Sequence, residues 1–180
     1  MERLKLATVW LGGCSGCHMS FLDLDEWLID LAALAEIVFT PVMDVKEYPE
    51  TVDAVLVEGA VANEDDLEML LKVRERSRLL ISLGDCAVTG NVTAIRNPIG
   101  KALPVLERSY LELADLTPQI PDERGIIPRL LDRVQPVHGV IPVDLYLPGC
   151  PPPADRIRKV LEALVEGRQP ELQGRDIKFG

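Results

Sequence analysis

Residues 6–28 read LATVWLGGCSGCHMSFLDLDEWL, and this stretch decides the fold. An apolar run, LKLATVWLGG from Leu4, stops at Gly12 and Gly13 and reads as a buried strand. Cys14 and Cys17 follow with two residues between them, and a helical pattern begins at once. Phe21, Leu24, Leu28, Leu31 and Ala35 recur at spacings of three and four, which predicts one helix with a single apolar face. A strand, a tight thiol-bearing turn and a helix form the opening unit of a parallel α/β sheet.

The rest of the chain repeats that alternation. EIVFTPVM (Glu36 to Met43) predicts a second strand, with Pro41 pointing to an edge or a strand end. VDAVLVEGA is a third and buried strand. NEDDLEMLLKVRERS is a helix with Asn63 as its N-cap, acidic residues in its first turn and Arg and Lys toward its end, as the helix dipole favours. RLLISLGDCA supplies a fourth strand, VDLYLPGCPPP a fifth, and ADRIRKVLEALVEG a closing helix stopped by Gly167. The expectation is one domain over residues 1–180: a flavodoxin-like, doubly wound parallel sheet of order 2-1-3-4-5, covered on both faces. Residues 97–142 are broken by seven prolines into short pieces, with a helix expected inside GKALPVLERSYLELADL. This proline-rich excursion suits a surface fitted to another subunit.

Composition narrows the chemistry. The 180 residues are enough for a self-sufficient core, and 47% hydrophobic with 27% charged residues is the balance of a soluble globular protein. A net charge of −10 opposes nucleic-acid binding, which needs Lys and Arg to replace phosphate counterions. No apolar stretch reaches the ~18 residues of a membrane span. Met1, Glu2 and Arg3 lead straight into a strand pattern without signal-peptide architecture, so the expected location is cytoplasmic and reducing. There, four cysteines point to metal or redox chemistry rather than disulfides.

All four follow predicted strands: Cys14 and Cys17 the first, Cys86 the fourth, Cys150 the fifth. The proposed order makes strands one, three, four and five consecutive, so thiols remote in sequence reach one rim, where open α/β sheets bind ligands. Four thiolates there suit a Cys₄ site, either zinc or an iron–sulfur cluster. A thioredoxin-like dithiol would leave Cys86 and Cys150 unexplained, and structural zinc usually draws on two close pairs rather than one pair and two single cysteines. No Gly-x-Gly-x-x-Gly or Walker phosphate loop is present, which leaves nucleotide binding by this chain without support.

CSGC, VEGA, GDCAVTGN and PGCPPP, in that order, resemble the motifs of [NiFe]-hydrogenase small subunits around a [4Fe–4S] cluster. The likeness spans about residues 4–165, and four ordered motifs make it specific. Lacking both a twin-arginine motif and the extra cysteines of larger small subunits, the sequence resembles most the small (delta) subunit of cytoplasmic NAD-reducing hydrogenases. The resemblance implies one [4Fe–4S] cluster on Cys14, Cys17, Cys86 and Cys150. It also implies a large-subunit partner carrying the Ni–Fe centre, and diaphorase subunits with FMN and further Fe–S clusters. Electrons from H₂ would then reach NAD⁺ through this chain. The alternative is the related 20 kDa-type, quinone-linked subunit of complex I, which usually has two adjacent cysteines where this chain has Cys14-x-x-Cys17. Glu58, in LVEGA, matches a family glutamate near the subunit interface that is linked to proton transfer. Read without the family, it is an ordinary solvated glutamate beside a helix start.

Overall fold

The structure is a computed structural model and describes residues 3–179. Its main sheet is parallel throughout. It is built from β1 (Leu4–Trp10), β2 (Ala35–Phe39), β3 (Val52–Glu58), β5 (Ser77–Leu83) and β7 (Leu145–Leu147). Their spatial order, β2-β1-β3-β5-β7, is the 2-1-3-4-5 order expected from the sequence, once two short extra strands are counted. Those extras, β4 (Val61–Asn63) and β6 (Leu130–Gln135), form a separate antiparallel ribbon.

Alternation along the strands explains the two covered faces. Ala7, Val55, Val57 and Leu80 point to one side. There they pack with Leu70 and Val73 of α3 (Glu64–Arg76), with Ala87 of α4 (Gly84–Thr89), and with Val137 and Ile141. Leu6, Ala54, Leu56 and Ile81 point to the other. They meet Phe21 of α1 (Gly16–Leu22), Leu31 of α2 (Trp27–Leu34), and Ile157 and Leu161 of α6 (Ala154–Val165). The central strands are buried on both sides, which is why they read as continuous apolar runs.

Two expectations are corrected. The single helix predicted after the cysteines is two, α1 and α2, broken over residues 23–26, where Asp25 takes φ 49°. Leu24 of the break still enters the core, so the apolar spacing survives while the backbone does not stay helical. Ala35, assigned to that helix, begins β2. In the proline-rich excursion the expected helix is α5 (Leu103–Glu107), continued by a wider turn over Arg108–Glu112. The excursion also contains β6, which proline punctuation hides.

Asn63 does cap α3, its Oδ1 accepting from Asp66 N at 2.8 Å. At the far edge, Asp144 Oδ2 accepts from Leu80 N at 2.7 Å and from Arg74 Nη1 at 2.6 Å, while Asp144 N donates to Leu80 O at 3.0 Å. This clamp sets β7 against β5 and thereby places the residues that follow β7. Asp144→Ala orphans the Leu80 N–H and leaves Arg74 Nη1 with only its longer bond to Pro142 O, at 3.3 Å. We expect a loss of about 1–3 kcal/mol, seen as a lower denaturation midpoint in urea.

Candidate metal centre

Trp10, Glu58, Leu83 and Leu147 are register partners in one row across the sheet. Just beyond that row the chain leaves the sheet: Cys14 lies in the turn after β1, Cys17 and Cys86 in the first turns of α1 and α4, and Cys150 in the turn after β7. Cys86 and Cys150 are each the third residue after paired strand ends, so they leave the sheet at the same height. The four cysteines line one cavity, together with Gly16, Glu58, Asp85, Gly149 and Pro151. Cys17 and Cys86 are buried, while Cys14 and Cys150 reach the surface.

Hydrogen bonds tie the turns to one another. The chain after β1 bonds to the chain after β3 through Leu11 N to Glu58 O (2.9 Å), Gly12 N to Ala60 O (2.9 Å) and Ala60 N to Gly12 O (2.8 Å). Asp85 N donates to Gly149 O at 2.9 Å, and Gly149 N donates back to Asp85 Oδ1 at 2.6 Å, so the Cys86 and Cys150 turns are locked reciprocally. Ser20 Oγ on α1 donates to Pro152 O at 2.5 Å, which closes the ring of contacts between the Cys17 helix and the Cys150 turn.

Glu58 is only 2% exposed, so it is not the solvated side chain that its sequence context also allowed. A buried carboxylate must be hydrogen-bonded or paired. Its Oε1 accepts from Cys17 N at 3.3 Å and its Oε2 from His18 N at 2.9 Å. Ser15, at the N-cap position of α1, makes no side-chain cap bond. Glu58 therefore does from β3 what a local cap would normally do. His18 Nδ1 also packs directly on Oε2. Its Nε2 lies 3.0 Å from Thr8 Oγ1, which donates to Thr40 Oγ1 at 2.9 Å. In the sequence, the signal that marks His18 is its position directly after a thiol. Trp10 is 48% exposed, with Nε1 donating to Gly13 O at 3.2 Å.

The electrostatics of the donor set suit a cationic core. Burial pushes the Cys17 thiol far up from its ordinary value, and the Glu58 charge and the other three cysteines add to this. Burial, then Cys14, Cys150, Glu58 and Asp85, push the Cys86 thiol up in the same way. Thiols that resist ionisation because burial, and then neighbouring negative charge, disfavour the thiolate gain most from a bound positive centre. Space is reserved as well: a Cβ on Gly84, where φ is +80°, would lie 2.2 Å from Cys17 Sγ. The residues present fit a thiolate-ligated metal group.

A profile of the family described as NADH ubiquinone oxidoreductase, 20 Kd subunit, matches residues 14–164. The chain belongs to this family. It is 41% identical over 179 residues to a subunit of the F420-non-reducing hydrogenase of Methanothermobacter marburgensis, covering 95% of this chain and 56% of that protein. It is 40% identical over 173 residues to the delta subunit of the NAD-reducing hydrogenase HoxS of Cupriavidus necator, covering 94% of this chain and 82% of that one. The chain thus spans little more than half of the Methanothermobacter relative and most of the Cupriavidus one. Among solved structures it superposes on a chain of an NAD⁺-reducing [NiFe]-hydrogenase in the H₂-reduced state. That match has TM-score 0.93, 35% identity, and 99% and 100% coverage of the two chains. A [NiFeSe]-hydrogenase from Dm. baculatum, at 18% identity and TM-score 0.60, shares the fold.

Two substitutions probe the site. Gly84→Ala forces a side chain into a left-handed backbone and against Cys17 Sγ. It should destabilise the protein by about 1–3 kcal/mol, read by thermal melting. Glu58→Gln turns one of two acceptor oxygens into a donor facing N–H groups. A loss of about 1–3 kcal/mol is expected, visible as faster amide exchange at Cys17 and His18.

Proposed function

We propose that this chain is the electron-transfer small subunit of a bidirectional [NiFe]-hydrogenase. It would hold one [4Fe–4S] cluster on Cys14, Cys17, Cys86 and Cys150, between a large-subunit partner that oxidises H₂ and a diaphorase module that reduces NAD⁺. The observation that carries the reading is the convergence of the four thiols, from the three segments that follow β1, β5 and β7, on one cavity. The near-full-length likeness to the delta subunit of an NAD-reducing hydrogenase supports the same assignment. A single ion suits the set less well: among the described residues no three His, Cys, Asp or Glu side chains come close enough to share one. Among those residues no helix is long and apolar enough to cross a membrane.

Such a cluster, when bound, supplies one-electron redox chemistry. The chain's own contribution is position and field. The interlocked turns fix the four thiols relative to the sheet. Leu83 and Leu147, three residues before Cys86 and Cys150, are buried in the same apolar cluster as Cys17. Glu58 and Asp85 place negative charge beside Cys17 and Cys86, which opposes arrival of an electron and holds the reduction potential low. Glu58 also heads a line of proton-carrying side chains through His18 and Thr8 to half-buried Thr40, which supports its candidacy for proton transfer.

The family's complex I name keeps a quinone-linked role as the second reading. The test is to purify the complex that contains this chain. Expected are about four irons per copy of this chain in the cavity, an EPR signal on reduction, and H₂-dependent NAD⁺ reduction. Cys86→Ser should remove the signal and stop electron flow to NAD⁺, while hydrogen–deuterium exchange by the large subunit persists. Zinc in place of iron would refute the proposal, and quinone reduction without H₂ oxidation would favour the second reading.

A further inference from the structure

We propose that Asn91 sets the reduction potential at this site by donating its side-chain amide to Cys150; the inference rests on reading the four cysteines as a cluster's ligands. Asn91 Nδ2 lies 3.5 Å from Cys150 Sγ, across 59 residues of sequence. That is an ordinary length for a donor to sulfur, whose radius exceeds that of oxygen.

The backbone around Asn91 is shaped for this reach. α4 ends at Gly90, which takes φ 87°, and Asn91 follows at φ 35°. Two successive left-handed residues fold the chain sharply back over the helix that carries Cys86. Glycine adopts such a conformation freely; among other residues asparagine is one of the few that tolerate it. The turn is pinned to that same helix. Gly90 N donates to Cys86 O at 2.9 Å, Thr89 Oγ1 donates to Asp85 O at 2.8 Å, and Asn91 N donates to Thr89 Oγ1 at 3.3 Å. Thr93 Oγ1 donates back to Gly90 O. A held, unusual backbone that delivers one amide to one sulfur is the kind of outlier that points to function.

Its effect opposes that of the carboxylates. An N–H directed at a ligand sulfur withdraws electron density, stabilises the state with the extra electron and raises the potential. The Cys17 and Cys86 side of the cavity faces Glu58 and Asp85, whereas the Cys150 side faces this donor. The potential is thereby balanced between two buried carboxylates and two N–H donors, the Asn91 amide on Cys150 and Gly16 N, 3.4 Å from Cys14 Sγ.

The test is an EPR-monitored redox titration of the purified complex, comparing wild type with Asn91→Gly and Asn91→Asp, with iron content measured for each. Glycine keeps the left-handed backbone and removes the donor. Aspartate keeps the shape and replaces the donor with a negative acceptor. The midpoint potential should shift downward in Asn91→Gly and further downward in Asn91→Asp. A purely structural role ranks them otherwise, with the isosteric aspartate titrating like wild type. That ranking, or equal potentials in all three proteins, would overturn the proposal, as would loss of iron from both variants. Wild type without iron would instead overturn the ligand-set reading itself, and this inference with it.

Discussion

A carboxylate taken out of water at the end of β3 organises the cysteine-bearing rim of this molecule. Glu58 is carried into the interior by a strand buried on both faces, and there it must find donors. It finds them in the first-turn N–H groups of α1, which lack a local cap, and in the ring of His18. Each deficiency satisfies the other. The Cys14-x-x-Cys17 turn is consequently referenced to the centre of the sheet rather than to its own loop.

The remaining turns inherit that reference. Glu58 shares a row with Trp10, Leu83 and Leu147, so the strand ends are level before any turn begins. The reciprocal bonds of Asp85 with Gly149, and of Gly12 with Ala60, then join neighbouring turns in pairs. The Ser20–Pro152 bond ties the helix on one face back to the Cys150 turn. Rigid strands set the heights and short hydrogen bonds set the separations. This is the arrangement a preorganised redox site requires, because ligands that need not move let an electron pass with little rearrangement of the protein.

Much of this is legible in the sequence. Strand order followed from short apolar runs alternating with amphipathic segments, and the rim position of the cysteines followed from that order. Asn63 announced its cap because N-capping is local chemistry. The break at residues 23–26 was not legible, because Leu24 preserves the helical spacing while Asp25 leaves the helical backbone. β6 was hidden as well: its partner β4 lies almost seventy residues earlier, and pairing at that distance leaves no local period. Glu58 showed only that a carboxylate ended an apolar strand, and nothing nearby in sequence revealed its donors, forty residues upstream.

The sequence by itself determined the class of sheet, its strand order, and the presence of four thiols at strand ends with glycines beside them, because these rest on local propensity and hydrophobic period. Only the tertiary structure decided which thiols are buried, which carboxylates lie beside them, and that the Asn91 amide meets Cys150. Those facts depend on distances between segments remote along the chain. Burial and hydrogen bonding across such gaps are properties of the packed sheet as a whole, and no single stretch of residues encodes them.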